Sequence, residues 1–168
     1  VSMSYEAKAL GVKTGEPIAL IRKKYSQCII VSGNYEAYIM FSRRMFEILR
    51  RYTLNVEECG AEEAFADVTE SSSLLGLGYE DMARKLQKEI HEELDVRVSV
   101  GISLTKTLAK LCSKFQKTKS LTAVKGRYVH ILLQKTKIED VWGIAPSTSS
   151  FLKEKHCYTA YDFASKPF

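Results

Sequence analysis

The stretch VRVSVGISLTKTLAKLCSKF, residues 96–115, carries most of the fold prediction. Its valines stand at alternate positions up to Val100, with polar residues between them, which is typical of a half-buried strand. From Leu104 to Phe115 the pattern favours a helix with a basic stripe, in which the lysines recur every four residues: Lys106, Lys110 and Lys114. We therefore predict a strand followed directly by a basic helix.

Working outward, apolar spacing predicts long amphipathic helices over residues 35–52 and 79–94. In the second of these, the apolar residues recur every four positions: Met82, Leu86, Ile90 and Leu94. Further strands are predicted at residues 28–31, from Leu54 and Val56, and at 64–68 and 128–133. Short helices are predicted over residues 4–13, 18–25 and 138–143 and from Ser147 onward. This order implies an α+β fold, with a sheet layered on helices, rather than a doubly wound sheet.

Charge is distributed unevenly along the chain, whose net charge is +5. Residues 57–95 carry twelve acids and three bases, whereas residues 104–130 carry seven bases and no acid. The basic segment can neutralise a triphosphate or a nucleic-acid backbone, although a solvated helix face explains the same count.

Cysteine, histidine and apolar patterns exclude several classes of protein. The cysteines and histidines are scattered, without a C-x-x-C pair, which argues against a zinc site and for reduced thiols in the cytoplasm. No apolar run is long enough to span a bilayer, so no membrane association is expected.

Two adjacent carboxylates, Glu62 and Glu63, stand at the junction of two apolar strands. Mg²⁺ is commonly held by one or two carboxylates together with substrate phosphates. Consecutive strand residues point to opposite faces, so a shared ion requires a bend or bulge there. The pair alone is a weak signal, because most such pairs are solvated.

Four motifs together resemble the UmuC-like Y family of lesion-bypass DNA polymerases. SYEAKALGVKTGEP, residues 4–17, resembles the fingers segment, and GAEEAFADVT, residues 60–69, resembles the palm motif S-I-D-E-A-F-x-D-V-T. VSVGIS at 98–103, with the lysines that follow, is similar to the S-V-G-I-A-x-x-K-x-L-A-K block. VWGI at 141–144 is similar to the opening of the thumb. The motifs follow the family's order and cover nearly the whole chain.

The resemblance implies template-dependent DNA synthesis, in which a primer 3′-hydroxyl attacks the α-phosphate of a dNTP with the help of two Mg²⁺ ions. It implies catalytic, metal-binding carboxylates at Glu62 and Glu63. It also implies contacts to the nucleotide and to primer–template DNA. The expected nucleotide-binding residues are Ser2, Tyr5, Lys8 and Lys117, and the expected DNA-binding residues are Lys106, Lys110, Gly143 and Ala145.

The resemblance further implies a ferredoxin-like polymerase palm with small helical fingers and a partial helical thumb. We predict fingers at residues 1–33, palm at 34–122 and the start of the thumb at 123–168. The family's first catalytic aspartate lies on a strand before the fingers. Because no such strand precedes Val1, we expect a fragment that lacks this palm strand and is inactive alone.

Several positions depart from the family's pattern. Glu62 stands where the family has aspartate, Ala145 stands in the thumb's Gly-Ile-Gly, and His156 stands where another glycine is expected. A second hypothesis is therefore a non-catalytic homologue that serves as a DNA-binding or scaffold module in DNA repair. A third, weaker one is a generic basic nucleic-acid-binding domain. The polymerase hypothesis also allows a sliding clamp or repair accessory proteins as partners.

Overall fold

A computed structural model of the chain describes residues 2–115 and 120–167. The chain divides into two compact units, Val1–Tyr35 and Glu36–Phe168. The finer division into fingers, palm and thumb stays a prediction.

The first unit contains two short helices, α1 (Tyr5–Ala9) and α2 (Ile18–Lys24), as the sequence predicts. The Ser4 hydroxyl begins α1 by accepting a hydrogen bond from the backbone N–H of Ala7 at 3.3 Å. The predicted strand at 28–31 is wrong: these residues pair with no strand in the described part of the chain, and Ile29 is 90% exposed. An apolar run alone does not make a strand, because a strand also needs a partner for its backbone hydrogen bonds.

Two sixteen-residue helices build the main core of the second unit: α3 (Tyr35–Arg50) and α5 (Tyr79–Leu94). All four apolar residues predicted on α5 are buried, and they pack with Ile48 and Tyr52 at the end of α3. Arg51 ties the two segments together on the surface, since its guanidinium is paired with Glu93 at 2.5 Å.

A short antiparallel hairpin lies between these helices in the sequence. Strand β1 (Val56–Glu58) pairs with β2 (Ala64–Ala66), and Val56 lies opposite Ala66. A one-turn helix, α4 (Ser71–Leu75), follows and ends at Gly76 in the left-handed conformation, with φ +62°.

The stretch at residues 96–115 forms strand β3 (Val100–Ile102) and helix α6 (Lys106–Lys114). Strand β3 pairs in parallel with β4 (Leu121–Ala123), and α6 packs on both strands. Residues 96–99 precede the strand, so its predicted start is too early. In the described part of the chain the two strand pairs form separate two-stranded sheets.

Beyond β4 the described chain is helical. A 3₁₀ turn (Gly126–Tyr128) leads into α7 (Val129–Lys135), a second 3₁₀ turn covers Ile138–Asp140, and α8 (Pro146–Glu154) and α9 (Ala160–Ala164) follow. The predicted strand at 128–133 is therefore wrong. Leu132 of α7 packs against Leu111 and Cys112 of α6 in a second core.

None of the helices in the described residues is both long and apolar enough to cross a membrane.

Candidate active site

Glu63 occupies the last position of the hairpin loop, immediately before β2. Its carbonyl oxygen accepts a hydrogen bond from the backbone N–H of Cys59 at 2.8 Å, which extends the ladder by one pair. Gly60 turns the loop with φ +89°, a conformation that favours glycine. The backbone at Glu63 is therefore held by the end of the ladder.

Strand alternation places Glu63 and Phe65 on one face of the hairpin, and Glu57 lies directly opposite Phe65. Glu62 immediately precedes Glu63 and lies in the loop, outside the paired strand residues. Its Oε2 atom lies 3.9 Å from the point where a Cβ on Gly60 would be. If Glu62 and Glu63 share one ion, the chain must bend beside them. The loop around Gly60 provides that bend.

Helix α6 presents its lysines to that face of the hairpin. Thr105 is the N-cap of this helix, and its hydroxyl accepts a hydrogen bond from the N–H of Leu108 at 3.3 Å. Lys106 forms an ion pair with Glu57. One turn later, Lys110 Nζ lies 2.5 Å from Glu63 Oε2. Two lysines four residues apart thus match two carboxylates on one hairpin face.

Lys110 also contacts an aromatic side chain from a distant part of the chain. Its Nζ atom lies 4.9 Å from the centre of the Trp142 ring, a cation–π geometry. The Trp142 ring in turn lies 5.5 Å from that of Phe65 on β2. The hairpin, α6 and the turn before α8 therefore meet around one ammonium group.

Asp67, another acid of the palm-like motif, has a local role. Its Oδ1 atom accepts hydrogen bonds from the hydroxyl of Thr69 at 2.6 Å and from that residue's N–H at 3.0 Å. These two hydrogen bonds lower the pKa of the Asp67 carboxyl, and the bond from the hydroxyl has the larger effect. The side chain of Asp67 therefore stabilises the turn that follows β2.

The carboxylates near α6 suit a metal ion that is shared with a substrate. Among residues 2–115 and 120–167, no group of three or more His, Cys, Asp or Glu side chains could hold an ion. Mg²⁺ sites that act on nucleotides commonly use one or two carboxylates with phosphates and water. Glu62 and Glu63 fit such a site in donor type and number, and they do not form an all-protein cage.

Three of the residues predicted to bind nucleotide lie at or near α1. Tyr5 and Lys8 are three positions apart on the helix and therefore neighbours on its surface. Both are exposed, as is Ser2, and the side chain of Tyr5 is 83% exposed. The fourth, Lys117, lies outside the described residues.

The turn before α8 carries the other two predicted DNA-binding residues. Gly143 adopts φ +93°, and nothing lies within 4 Å of the place its Cβ would occupy. Ala145 is the N-cap of α8, followed by Pro146, and its carbonyl oxygen accepts from the N–H of Ser149 at 2.8 Å. Both residues are exposed, and no acid lies in the first turn of the helix.

Sequence reasoning missed the partners of the two lysines. The motifs identify Glu63, and the four-residue spacing identifies Lys106 and Lys110, but neither pattern shows that these charges pair. The pairing of Glu57 with Phe65 across the hairpin, together with the two-residue spacing of Glu63 and Phe65, could have suggested a charged face. No local signal links Trp142 to that face.

Comparison with known proteins gives a consistent assignment. Residues 1–114 match the model of the impB/mucB/samB family. The chain is 35% identical over 151 residues to a DNA polymerase IV of Desulfatibacillum aliphaticivorans, with 90% of the chain and 38% of that protein covered. The chain thus spans less than half the length of this relative.

Solved structures agree with this match. The insertion ternary complex of Dbh DNA polymerase is 29% identical, with a TM-score of 0.87 over 98% of this chain and 48% of that one. A Y-family DNA polymerase chimera is 28% identical, with a TM-score of 0.85 and the same coverage of both chains. The predicted α+β fold, the polymerase palm and the resemblance to the Y family are confirmed. Because this family model matches more than half of the residues of the chain, the chain belongs to the impB/mucB/samB family.

Proposed function

We propose that this chain is the nucleotide-transferring part of a lesion-bypass DNA polymerase, which extends a primer 3′-hydroxyl with a dNTP on a DNA template. The observation that carries the proposal is the position of Glu63. Its carboxylate lies at the end of a hairpin ladder and faces a basic helix, in a chain of this family. Negative and positive groups that face each other suit a substrate that carries both a metal ion and phosphates.

Glu62 and Glu63 are the residues that would hold magnesium. When bound there, magnesium would lower the pKa of the attacking hydroxyl and neutralise charge on the leaving oxygens. The chain itself positions the carboxylate of Glu63. The hydrogen bond from the Cys59 N–H to the Glu63 carbonyl oxygen fixes the backbone of that residue. Glu63 remains about half exposed, so one side of its carboxylate is open to a ligand.

The nucleotide and DNA contacts belong to the same proposal. Tyr5 and Lys8, exposed on one side of α1 with Ser2 before it, offer hydroxyl and ammonium donors for a triphosphate. Lys117 would add another ammonium group. On the other unit, Lys106 and the N–H groups near Gly143 and Ala145 would bind DNA phosphates.

A single-nucleotide primer-extension assay tests the proposal on the longest natural open reading frame that contains this sequence. Glu63→Gln should abolish extension, because the neutral amide cannot supply the charge that a metal ligand needs. Glu57→Gln is a matched control, since Glu57 also pairs with a lysine of α6 and has no proposed role in the reaction. Equal extension by the wild type and Glu63→Gln would refute the proposal.

A second candidate is a non-catalytic homologue that binds DNA or acts as a scaffold in repair. The observation that favours it is His156, a bulky residue in the left-handed conformation with φ +57°, where the resemblance implies a glycine. Under this alternative no form extends a primer, while binding to primer–template DNA persists and weakens with salt.

A further inference from the structure

Lys110 is held on two sides, by a carboxylate and by an aromatic ring. Its ammonium group contacts the Glu63 carboxylate at 2.5 Å and lies over the Trp142 ring at 4.9 Å. Phe65 supports that ring from the hairpin side. Only 12% of the Lys110 side chain is exposed, so the ammonium cannot move freely into solvent.

Lys106, one turn earlier on α6, provides a contrast within the same structure. It also pairs with a hairpin carboxylate, that of Glu57, but both partners are more than half exposed, at 55% and 53%. No ring contact is found for Lys106 among the described residues. Exposed pairs of this kind exchange readily with water, whereas a pair held by an aromatic ring and by burial is more persistent.

We propose that Lys110 is a resident counter-cation of Glu63, which keeps the affinity of that carboxylate for divalent cations low until a triphosphate supplies further negative charge. The inference rests on the proposed function, because it takes Glu63 to be a metal ligand. An ammonium and a divalent ion that share one carboxylate repel each other, and partial burial reduces the screening of that repulsion by salt.

Trp142 positions the counter-cation in this account. Without the ring, the four-carbon stem of Lys110 could swing the ammonium into solvent, as exposed lysines do. The ring and the carboxylate together hold the positive charge of Lys110 beside Glu63. Metal binding and nucleotide binding are then coupled through the charges around Glu63.

Mn²⁺ binding, followed by the loss of the free-ion signal in electron paramagnetic resonance, tests the inference on the 168-residue chain without any assay of activity. In the absence of dNTP, Lys110→Gln should bind Mn²⁺ about tenfold more tightly than the wild type, because the repelling charge is gone. Lys110→Arg should restore the wild-type affinity, since the guanidinium keeps the charge. Trp142→Leu should tighten binding in the same direction by a smaller factor.

Lys114→Gln is the matched control, because it removes the same charge from the same helix. Lys114 is exposed and forms no ion pair with any described residue, so its loss should change the Mn²⁺ affinity less than about twofold. Far-ultraviolet circular dichroism checks that each variant keeps its helices.

Two negative outcomes have different meanings. If Glu63→Gln weakens Mn²⁺ binding but Lys110→Gln leaves it unchanged or weakens it, the counter-cation inference is overturned and Glu63 stands as a ligand. If Glu63→Gln has no effect with or without dNTP, Glu63 does not hold the ion, and its proposed catalytic role falls as well.

Discussion

Gly101 of β3 lies so close to Ala109 of α6 that a Cβ atom on the glycine would be 2.0 Å from the Ala109 carbonyl oxygen. The same atom would be 2.4 Å from the backbone nitrogen of Ser113. Both neighbours are helix backbone, which cannot rotate away as a side chain could. The helix that carries Lys106 and Lys110 therefore sits on this strand only because residue 101 has no side chain.

Gly101→Ala should lower the free energy of unfolding by about 3 kcal/mol or more, since the helix must shift to admit the methyl group. Urea denaturation of the chain measures the change. Gly78→Ala is a suitable control, because Gly78 has an ordinary φ of −65° and its nearest neighbour is a flexible Asp81 side chain. The control should cost less than about 1 kcal/mol. Equal losses in the two variants would show that close helix–strand packing is not the cause.

Ile48 tests the contribution of the core between α3 and α5. It is 1% exposed, so Ile48→Ala should cost about 2–5 kcal/mol through lost burial and the cavity that remains. Leu54→Ala removes a similar side chain that is 88% exposed, and it should change stability by less than about 0.5 kcal/mol. Chemical denaturation distinguishes them, and a small effect at Ile48 would contradict the packing described here.

His156 tests the strain of the turn after α8. The residue has φ +57°, and its N–H donates to the carbonyl of Lys153 at 3.0 Å. Because a side chain is strained in this conformation, His156→Gly should stabilise the chain by about 1 kcal/mol, which raises Tm by about 2–4 °C. His130→Gly makes the same exchange within helix α7 and should destabilise by about 0.5 kcal/mol. Thermal unfolding in which both variants lose stability would argue against strain at His156.

Asp162 predicts how stability depends on acid. Its Oδ2 atom accepts from the N–H groups of Thr159 at 2.8 Å and Tyr158 at 3.0 Å. The Thr159 N–H first, then that residue's hydroxyl and the Tyr158 N–H, lower the pKa of Asp162 in the folded chain. Since the folded pKa lies below the unfolded one, the stabilisation is present above about pH 4 and is lost as the pH falls through the folded pKa.

The wild type and Asp162→Asn should therefore differ most in urea midpoint near neutral pH and converge as the pH falls below the folded pKa of Asp162. Glu47→Gln is the control, because Glu47 is exposed and makes no ion pair within the described residues. That substitution should not alter the pH dependence. A constant difference between wild type and Asp162→Asn at every pH would contradict the capping role of the carboxylate.

Lys106 tests the predicted contact with DNA. Its pair with Glu57 is exposed and can open to a phosphate at little cost. Lys106→Gln should weaken binding to primer–template DNA and reduce the slope of log affinity against log salt by about 1. Lys85→Gln removes an exposed charge from α5 and should leave that slope unchanged. Fluorescence anisotropy at several salt concentrations gives the slopes, and identical values for the two variants would remove Lys106 from the interface.

The elements that the sequence predicts well are those whose pattern repeats over several turns. Helix α5 has the predicted bounds because four apolar residues spaced by four mark its buried face. The run at 128–133 is too short to distinguish a strand from a buried helix segment, and it forms α7. Strand β4 has only three residues and exists through its pairing with β3, which no local pattern reveals.

The candidate site divides in the same way. Glu63 could be predicted because a motif surrounds it and because it stands at the junction of two apolar strands. The contact of Glu63 with Lys110 joins residues 47 positions apart and depends on how α6 lies against the hairpin. The Trp142 contact comes from a third segment, so it depends on how that segment packs against α6 and the hairpin.

Trp142 is the only tryptophan in the sequence, and it lies beside an ammonium group with nearly half of its surface exposed. Its ultraviolet emission therefore reports one place in the molecule, where the hairpin, α6 and the turn before α8 meet. A stopped-flow instrument could follow, without an attached dye, the rate at which this junction responds to a nucleotide. The chain thus contains a natural optical probe of its own candidate active site.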